Sequence, residues 1–153
     1  MSIEQKLAEL GITLPAPAAP VAAYVPVVIH GGLSHISGQI PFVEGALVLG
    51  RLGEGMSAEQ GAAAARACGL MILAQARAAL GSLDRVERVV KLGGFVNCTA
   101  NFTDQPRVIN GASELMVEVF GEAGKHARSA VGVPSLPLGV AVEVDAILAV
   151  RGA

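Results

Sequence analysis

The chain has 153 residues, 11 basic and 13 acidic, for a formal net charge of −2; that length predicts one domain with a real core. Hydrophobic residues make up 52% but aromatics only 3%, with no Trp, so the core must be built from Ala, Val, Leu and Ile. No Lys/Arg block offers a nucleic-acid footprint, and no run approaches about eighteen uninterrupted apolar residues, which argues against a membrane span. Cys68 and Cys98 lie far apart with no CxxC or His spacing, and suggest neither a zinc site nor a disulfide. A mean hydropathy of +0.56 is high for so small a chain, and implies apolar surface buried between subunits.

Residues 2–10 have helical spacing (Ile3, Leu7, Leu10) and stop at Gly11. Their mixed charge lacks the basic and apolar regions of a signal peptide, so the expected location is the cytoplasm. Leu14 to Pro20 is too proline-rich for a helix or a central strand and reads as an extended linker. Residues 1–18 are thus an N-terminal helix and extension, and 19–153 the domain.

Val21–His30 and Leu33–Ile40 are expected as a hairpin turning at Gly31-Gly32, with Val28 opposite His35 and Tyr24 opposite Gln39. Pro26 demands an edge or a bulge. A third strand is expected at Ala46–Gly50. Ser57-Ala58-Glu59-Gln60 is a capping box opening an Ala-rich helix to Leu80, stopped by Gly81. Cys68 within it reads as a packed free thiol. Asp84 can cap a turn before a strand Val89–Asn97, where Gly93-Gly94 signals a bulge or a close backbone approach. A second helix runs from about Gln105 to Glu122, with the stripe Val108, Ala112, Leu115 and Val119 and with Asn110 off the stripe.

The chain ends in two strands, before and after a loop at about Pro134–Pro137. The even positions from Val140 to Val150 are all apolar, while Glu143 and Asp145 leave on the other face. A simple antiparallel hairpin would put Val133 opposite Leu138 and Arg128 opposite Glu143, within cross-strand reach. A surface ion pair is the alternative reading of Arg128 and Glu143. The sum is α+β: a β-β-β-α-β-α-β-β order, a mixed sheet and both helices on one face. The other face needs partners.

Arg128-Ser129-Ala130-Val131, Leu136-Pro137 and Val142-Glu143-Val144-Asp145-Ala146-Ile147 resemble the C-terminal signature of the YjgF/YER057c/UK114 (RidA) family. Ser37-Gly38-Gln39-Ile40-Pro41 matches another of its motifs, and Tyr24 its site tyrosine in spacing. The resemblance extends from about Ala19 to the end. It implies a chorismate-mutase-like fold and a homotrimer with sites in the clefts between subunits. It also implies hydrolysis of reactive 2-imino acids or enamines to 2-oxo acids and ammonia, with no metal or organic cofactor. By that resemblance Arg128 holds the substrate carboxylate, helped by the Ala130 N–H, and Glu143 orients the attacking water. Tyr24, Ser37, Gly38 and Asn110 shape the pocket. The bland alternatives are a packed Tyr24, a Ser37 satisfied by backbone and a solvated Asn110; His30, His35 and His126 show no metal spacing and read as structural. Three departures stand out: Ala130 replaces the family cysteine, Ala23-Tyr24-Val25-Pro26 replaces Pro-Tyr-Ser-Gln, and the extension marks a longer branch. Rival readings are a non-catalytic small-carboxylate sensor, an endoribonuclease and a chorismate-mutase-like isomerase.

Overall fold

The computed structural model describes residues 1–20 and 22–152; Val21, where the first strand was expected to begin, lies outside them. Helix α1 (Ile3–Glu9) opens on its own capping box, Ser2 Oγ accepting the Gln5 N–H and Gln5 returning the bond to the Ser2 N–H. Its Leu7 is buried. Ile3 N–H donates to Asp84 Oδ1 at 2.7 Å and Arg77 pairs with Glu4, so the extension is fastened to the domain. The Pro-rich stretch after it lies along the second helix, where Gln75 Nε2 donates to Ala18 O. Asp84, expected as a cap, serves this contact instead, and Ser82 caps the short 3-10 turn Leu83–Arg85.

Strands β1 (Val27–His30) and β2 (Leu33–Gln39) pair as expected, Val28 with His35 and His30 with Leu33. Gly31 and Gly32 have φ of 61° and 78°, the left-handed pair that a two-residue hairpin turn demands. The strand does not reach Tyr24: with Pro20 and Pro26 on either side, residues 22–26 cannot sustain a ladder, so Tyr24 does not pair with Gln39. The expected third strand is instead the second arm of a small separate hairpin, β3 (Phe42–Val43) and β4 (Ala46–Leu47).

Helix α2 (Ala58–Leu80) has the expected capping box and ends at Gly81, φ 81°. By length and composition it could cross a membrane, but 67% of its apolar stretch is buried, which makes it the core helix. Strand β5 (Val86–Asn97) begins three residues earlier than expected. Its register irregularities fall before Lys91, not at Gly93-Gly94; the glycine pair marks a close approach. Helix α3 (Gln105–Phe120) buries Val108, Ile109, Ala112, Leu115, Met116 and Val119, and a 3-10 turn (Gly121–Gly124) replaces its expected last turn. The two helices meet at Gly111, where a Cβ would stand 1.9 Å from Ala62 O.

Strands β6 (Ala127–Val133) and β7 (Val142–Val150) overturn the expected hairpin. The sheet order is β1-β2-β7-β5-β6: β6 runs parallel to β5, and β7 runs antiparallel to β5 on its other side. The reason is the β5–α3–β6 crossover, which lays β6 beside β5. Residues 134–141, which include a 3-10 turn at Pro137–Gly139, are too long for a tight hairpin and step past β5. Both helices cover one face, and β7 presents Val142, Val144, Ala146, Leu148 and Val150 to them, all buried. The opposite face carries Glu143, Asp145, Ile147 and Ala149, and among the described residues no layer covers it. The largest fully buried side chains are Leu, Ile, Met and Val, with no aromatic among them.

Candidate functional site

The register separates the two residues that the sequence placed together. Arg128 stands opposite Leu92, and Leu92 opposite Ala146, both buried under the helices. Arg128 therefore points to the helix side at the β6 edge. Glu143 stands opposite Phe95 and leaves on the uncovered face. With β5 between them and three residues of offset, their Cα atoms are roughly 14 Å apart, and no ion pair joins them among the described residues. The expectation of adjacent strands and a shared face is corrected on both counts.

At the β6 edge, Arg128 Nη1 donates to Asn110 Oδ1 at 2.8 Å and to Ser113 Oγ at 3.1 Å. Asn110 is solvent-exposed, as its alternative reading had it, and its amide oxygen is engaged by the arginine. Ser113 Oγ lies 2.8 Å from His126 Nε2, and His126 Nδ1 lies 2.6 Å from Gly124 O. Ala130, two residues along the same face of β6, is partly buried against the core. A surface cavity of about 640 Å³ opens here, lined by Ser113, Val117, Lys125, His126 and Arg128 with Glu114 and Glu118. Glu118 is engaged by Arg66, and among the described residues no carboxylate pairs with Arg128. A guanidinium held only by neutral acceptors keeps its charge for a ligand carboxylate or phosphate.

On the other face, Glu143 is half-buried beside Gly38 of β2. A Cβ at Gly38 would lie 2.4 Å from Glu143 Oε2, so the glycine clears the space that the carboxylate occupies. Gly93 does the same for Asp145, whose Oδ1 would stand 2.4 Å from a Cβ there. Burial, and secondarily the Asp145 charge, push the Glu143 carboxyl above its ordinary range. Burial also raises Asp145, partly offset by the Gly93 backbone hydrogen bond and Lys91. An acid in such a setting exchanges protons nearer neutral pH. Ser37 Oγ donates to Val25 O at 3.0 Å, and Ser37 N–H donates to Pro26 O. Ser37 thus staples the segment carrying Tyr24 to β2, and the tyrosine is 47% exposed at the rim, which removes core packing as its role.

The predicted residues therefore form two groups: Arg128, Asn110 and Ala130 on the helix side of one edge, and Glu143, Gly38, Ser37 and Tyr24 towards the other side. Ser113 and His126 were not read as site residues. Their spacing held the signal: Ser113 is one helical turn from Asn110, and His126 is two residues from Arg128 along the strand direction. Burial raises the Cys68 thiol, with Glu143 adding to the effect, so it is not a nucleophile. Among the described residues no three His, Cys, Asp or Glu gather as metal ligands. A second cavity, of about 850 Å³, lies away from both groups between residues 13–19, the β3–β4 turn and α2.

Residues 4–148 match the family model described as "YjgF/chorismate mutase-like, putative endoribonuclease". "Protein TCP17" of Trypanosoma cruzi is 53% identical over 148 residues, covering 95% of this chain and 92% of that protein. A crystal structure of a "putative endoribonuclease" from Shewanella oneidensis superposes with a TM-score of 0.95 at 34% identity, covering 98% of this chain and 100% of that one. Escherichia coli TdcF, solved with bound serine, gives a TM-score of 0.64 at 27% identity over 90% of this chain and 94% of its own. With this fold and these matches, the chain belongs to the YjgF/RidA family.

Proposed function

We propose that the protein is a hydrolytic deaminase of 2-imino acids and their enamine tautomers, working at clefts between copies of the chain. The observation that carries this reading is Arg128: a guanidinium fixed by Asn110 and Ser113 and, among the described residues, paired with no carboxylate. Its free N–H groups suit a substrate carboxylate in a two-bond fork. The carboxylate base has to come from a second copy, since Glu143 of the same chain faces the other way. A homotrimer, as the family resemblance implies, gives the uncovered face and the β6 edge their partners.

The step balances without a cofactor. The protonated imine carbon is electrophilic, and Glu143 takes a proton from a water as its oxygen attacks that carbon. Glu143 returns that proton to the nitrogen of the resulting amino alcohol, then takes the hydroxyl proton as the C–N bond breaks, which releases the 2-oxo acid and ammonia; the proton leaves Glu143 with the ammonia as ammonium. A carboxyl raised above its ordinary range suits both halves of that exchange. Tyr24 and Ser37 shape the wall beside the water, and Asn110 the wall beside the carboxylate.

The bound serine of TdcF favours a second reading, in which small carboxylates bind without turnover. Imino acids generated in place by an amino-acid oxidase decide between them: faster release of 2-oxo acid and ammonia, lost in Glu143→Ala with ligand affinity retained, supports the deaminase. No acceleration across small, branched and aromatic imino acids overturns it. An RNA cleavage assay with an Arg128→Ala control tests the endoribonuclease in the family description, which the net charge of −2 and absent basic stripe disfavour.

A further inference from the structure

The hydrogen bonds behind Arg128 have a fixed direction. A carbonyl can only accept, so the His126 proton 2.6 Å from Gly124 O sits on Nδ1. With one proton on the ring, Nε2 offers a lone pair, and the Ser113 hydroxyl, 2.8 Å away, donates to it. The Ser113 oxygen is then left to accept, and Arg128 Nη1 donates at 3.1 Å. Asn110 Oδ1 takes the other Nη1 proton. Both Nη1 protons are committed, which leaves the Nε–Nη2 edge as the free fork.

We infer that Ser113 and His126 are positioning residues that hold Arg128 with its Nε–Nη2 edge presented to the substrate carboxylate. This rests on the carboxylate-anchor reading above and adds what aims the anchor. An unrestrained arginine spreads over many rotamers and must be ordered when a ligand binds; a guanidinium already tied on one side loses less freedom. Because the two groups that accept from it are an amide and a hydroxyl, the tie costs Arg128 none of its charge. Gly124 anchors the far end: a Cβ there would lie 2.1 Å from Met116 O, so its backbone lies directly on α3, and the carbonyl that His126 uses is rigidly placed. Ser113 acts as a link rather than a nucleophile, because its own helix occupies the main-chain N–H groups that would hold an oxyanion.

The test measures pyruvate affinity by calorimetry, and kcat and KM with oxidase-generated imino acid, in Arg128→Ala, Ser113→Ala, His126→Asn and His126→Gln. Alanine is a better helix former than serine, so Ser113→Ala should fold. Asparagine keeps a donor near the Nδ1 position for Gly124 but does not reach Ser113, whereas glutamine places its amide near Nε2. Loss of one neutral hydrogen bond predicts pyruvate affinity about three- to ten-fold weaker in Ser113→Ala and His126→Asn, seen in KM more than kcat. His126→Gln should stay within about two-fold of the native protein. Native affinity in both Ser113→Ala and His126→Asn, with binding lost in Arg128→Ala, overturns the relay and leaves the anchor standing. Equal loss in the asparagine and glutamine variants also overturns it. Native affinity in Arg128→Ala removes the anchor itself.

Discussion

The β6 edge and the uncovered sheet face solve opposite problems with the same device, a charge kept away from its counter-ion. At the edge, a cation is steadied by an amide and a hydroxyl from α3. On the face, a carboxylate is half-buried beside a glycine and a second acid. Had Arg128 and Glu143 paired across adjacent strands, each would have neutralised the other. The arginine would have lost its pull on a ligand, and the acid would have been driven below its ordinary range. Kept apart, the arginine has only neutral partners and the acid keeps a carboxyl raised above its ordinary range, the two properties that the proposed chemistry uses. The same chain supplies both, but never in one place.

The largest way to break this contrast is Arg128→Ala. It removes a charge-assisted contact of about 2–4 kcal/mol, so kcat/KM should fall roughly 30- to 1000-fold. Arg128→Lys should recover only part, because an ammonium lacks the planar fork. Steady-state kinetics with the oxidase-coupled assay reads both.

Two glycines sharpen the contrast between site and scaffold. A methyl at Gly38 meets the flexible end of Glu143, so Gly38→Ala should push the carboxylate aside. The expected cost is up to about a hundred-fold in kcat, the scale of a catalytic group displaced by about 1 Å, with melting temperature nearly unchanged. A methyl at Gly111 meets the Ala62 carbonyl of α2, which cannot swing away. Gly111→Ala should destabilise the fold by about 1–3 kcal/mol. Paired thermal melts and turnover numbers check the two together.

The smallest effect is one of pH. The folded Glu143 carboxyl is raised, so folding opposes its ionisation. The resulting destabilisation is absent below the unfolded value, grows as pH rises through that value towards the folded one, and is complete above it. Glu143→Gln should therefore raise the melting temperature slightly at neutral pH and lose that advantage at strongly acidic pH. A Glu143→Gln variant less stable than the native protein at neutral pH would contradict the sign.

Much of the fold was legible because its signals are local. The capping box at Ser57 and Gly81 bounded α2, Gly31-Gly32 fixed the first hairpin, and the alternation in β7 named the residues facing the helices. Strand order was not legible. A period of two says which residues share a face of a strand, but not which strand lies beside it. That required seeing that β5, α3 and β6 form a parallel crossover, which fills the place where β7 was expected. The site followed suit: Arg128 and Glu143 were identifiable as chemistry-bearing residues, while their relation depended on sheet order. Tyr24 was placed on a strand because the apolar run continued past it, although Pro20 and Pro26 had already broken the ladder.

In the proposed mechanism a working site draws Arg128 from one copy and Glu143 from another, and mixing two inactive variants tests this. Arg128→Ala and Glu143→Ala proteins are unfolded together, refolded as mixed oligomers, and assayed for imino-acid hydrolysis. If each site takes one residue from each of two neighbouring copies, random equal mixing should restore activity to about a quarter of the native level. Activity that stays at the level of the separate variants, with subunit mixing verified by native mass spectrometry, would contradict the claim.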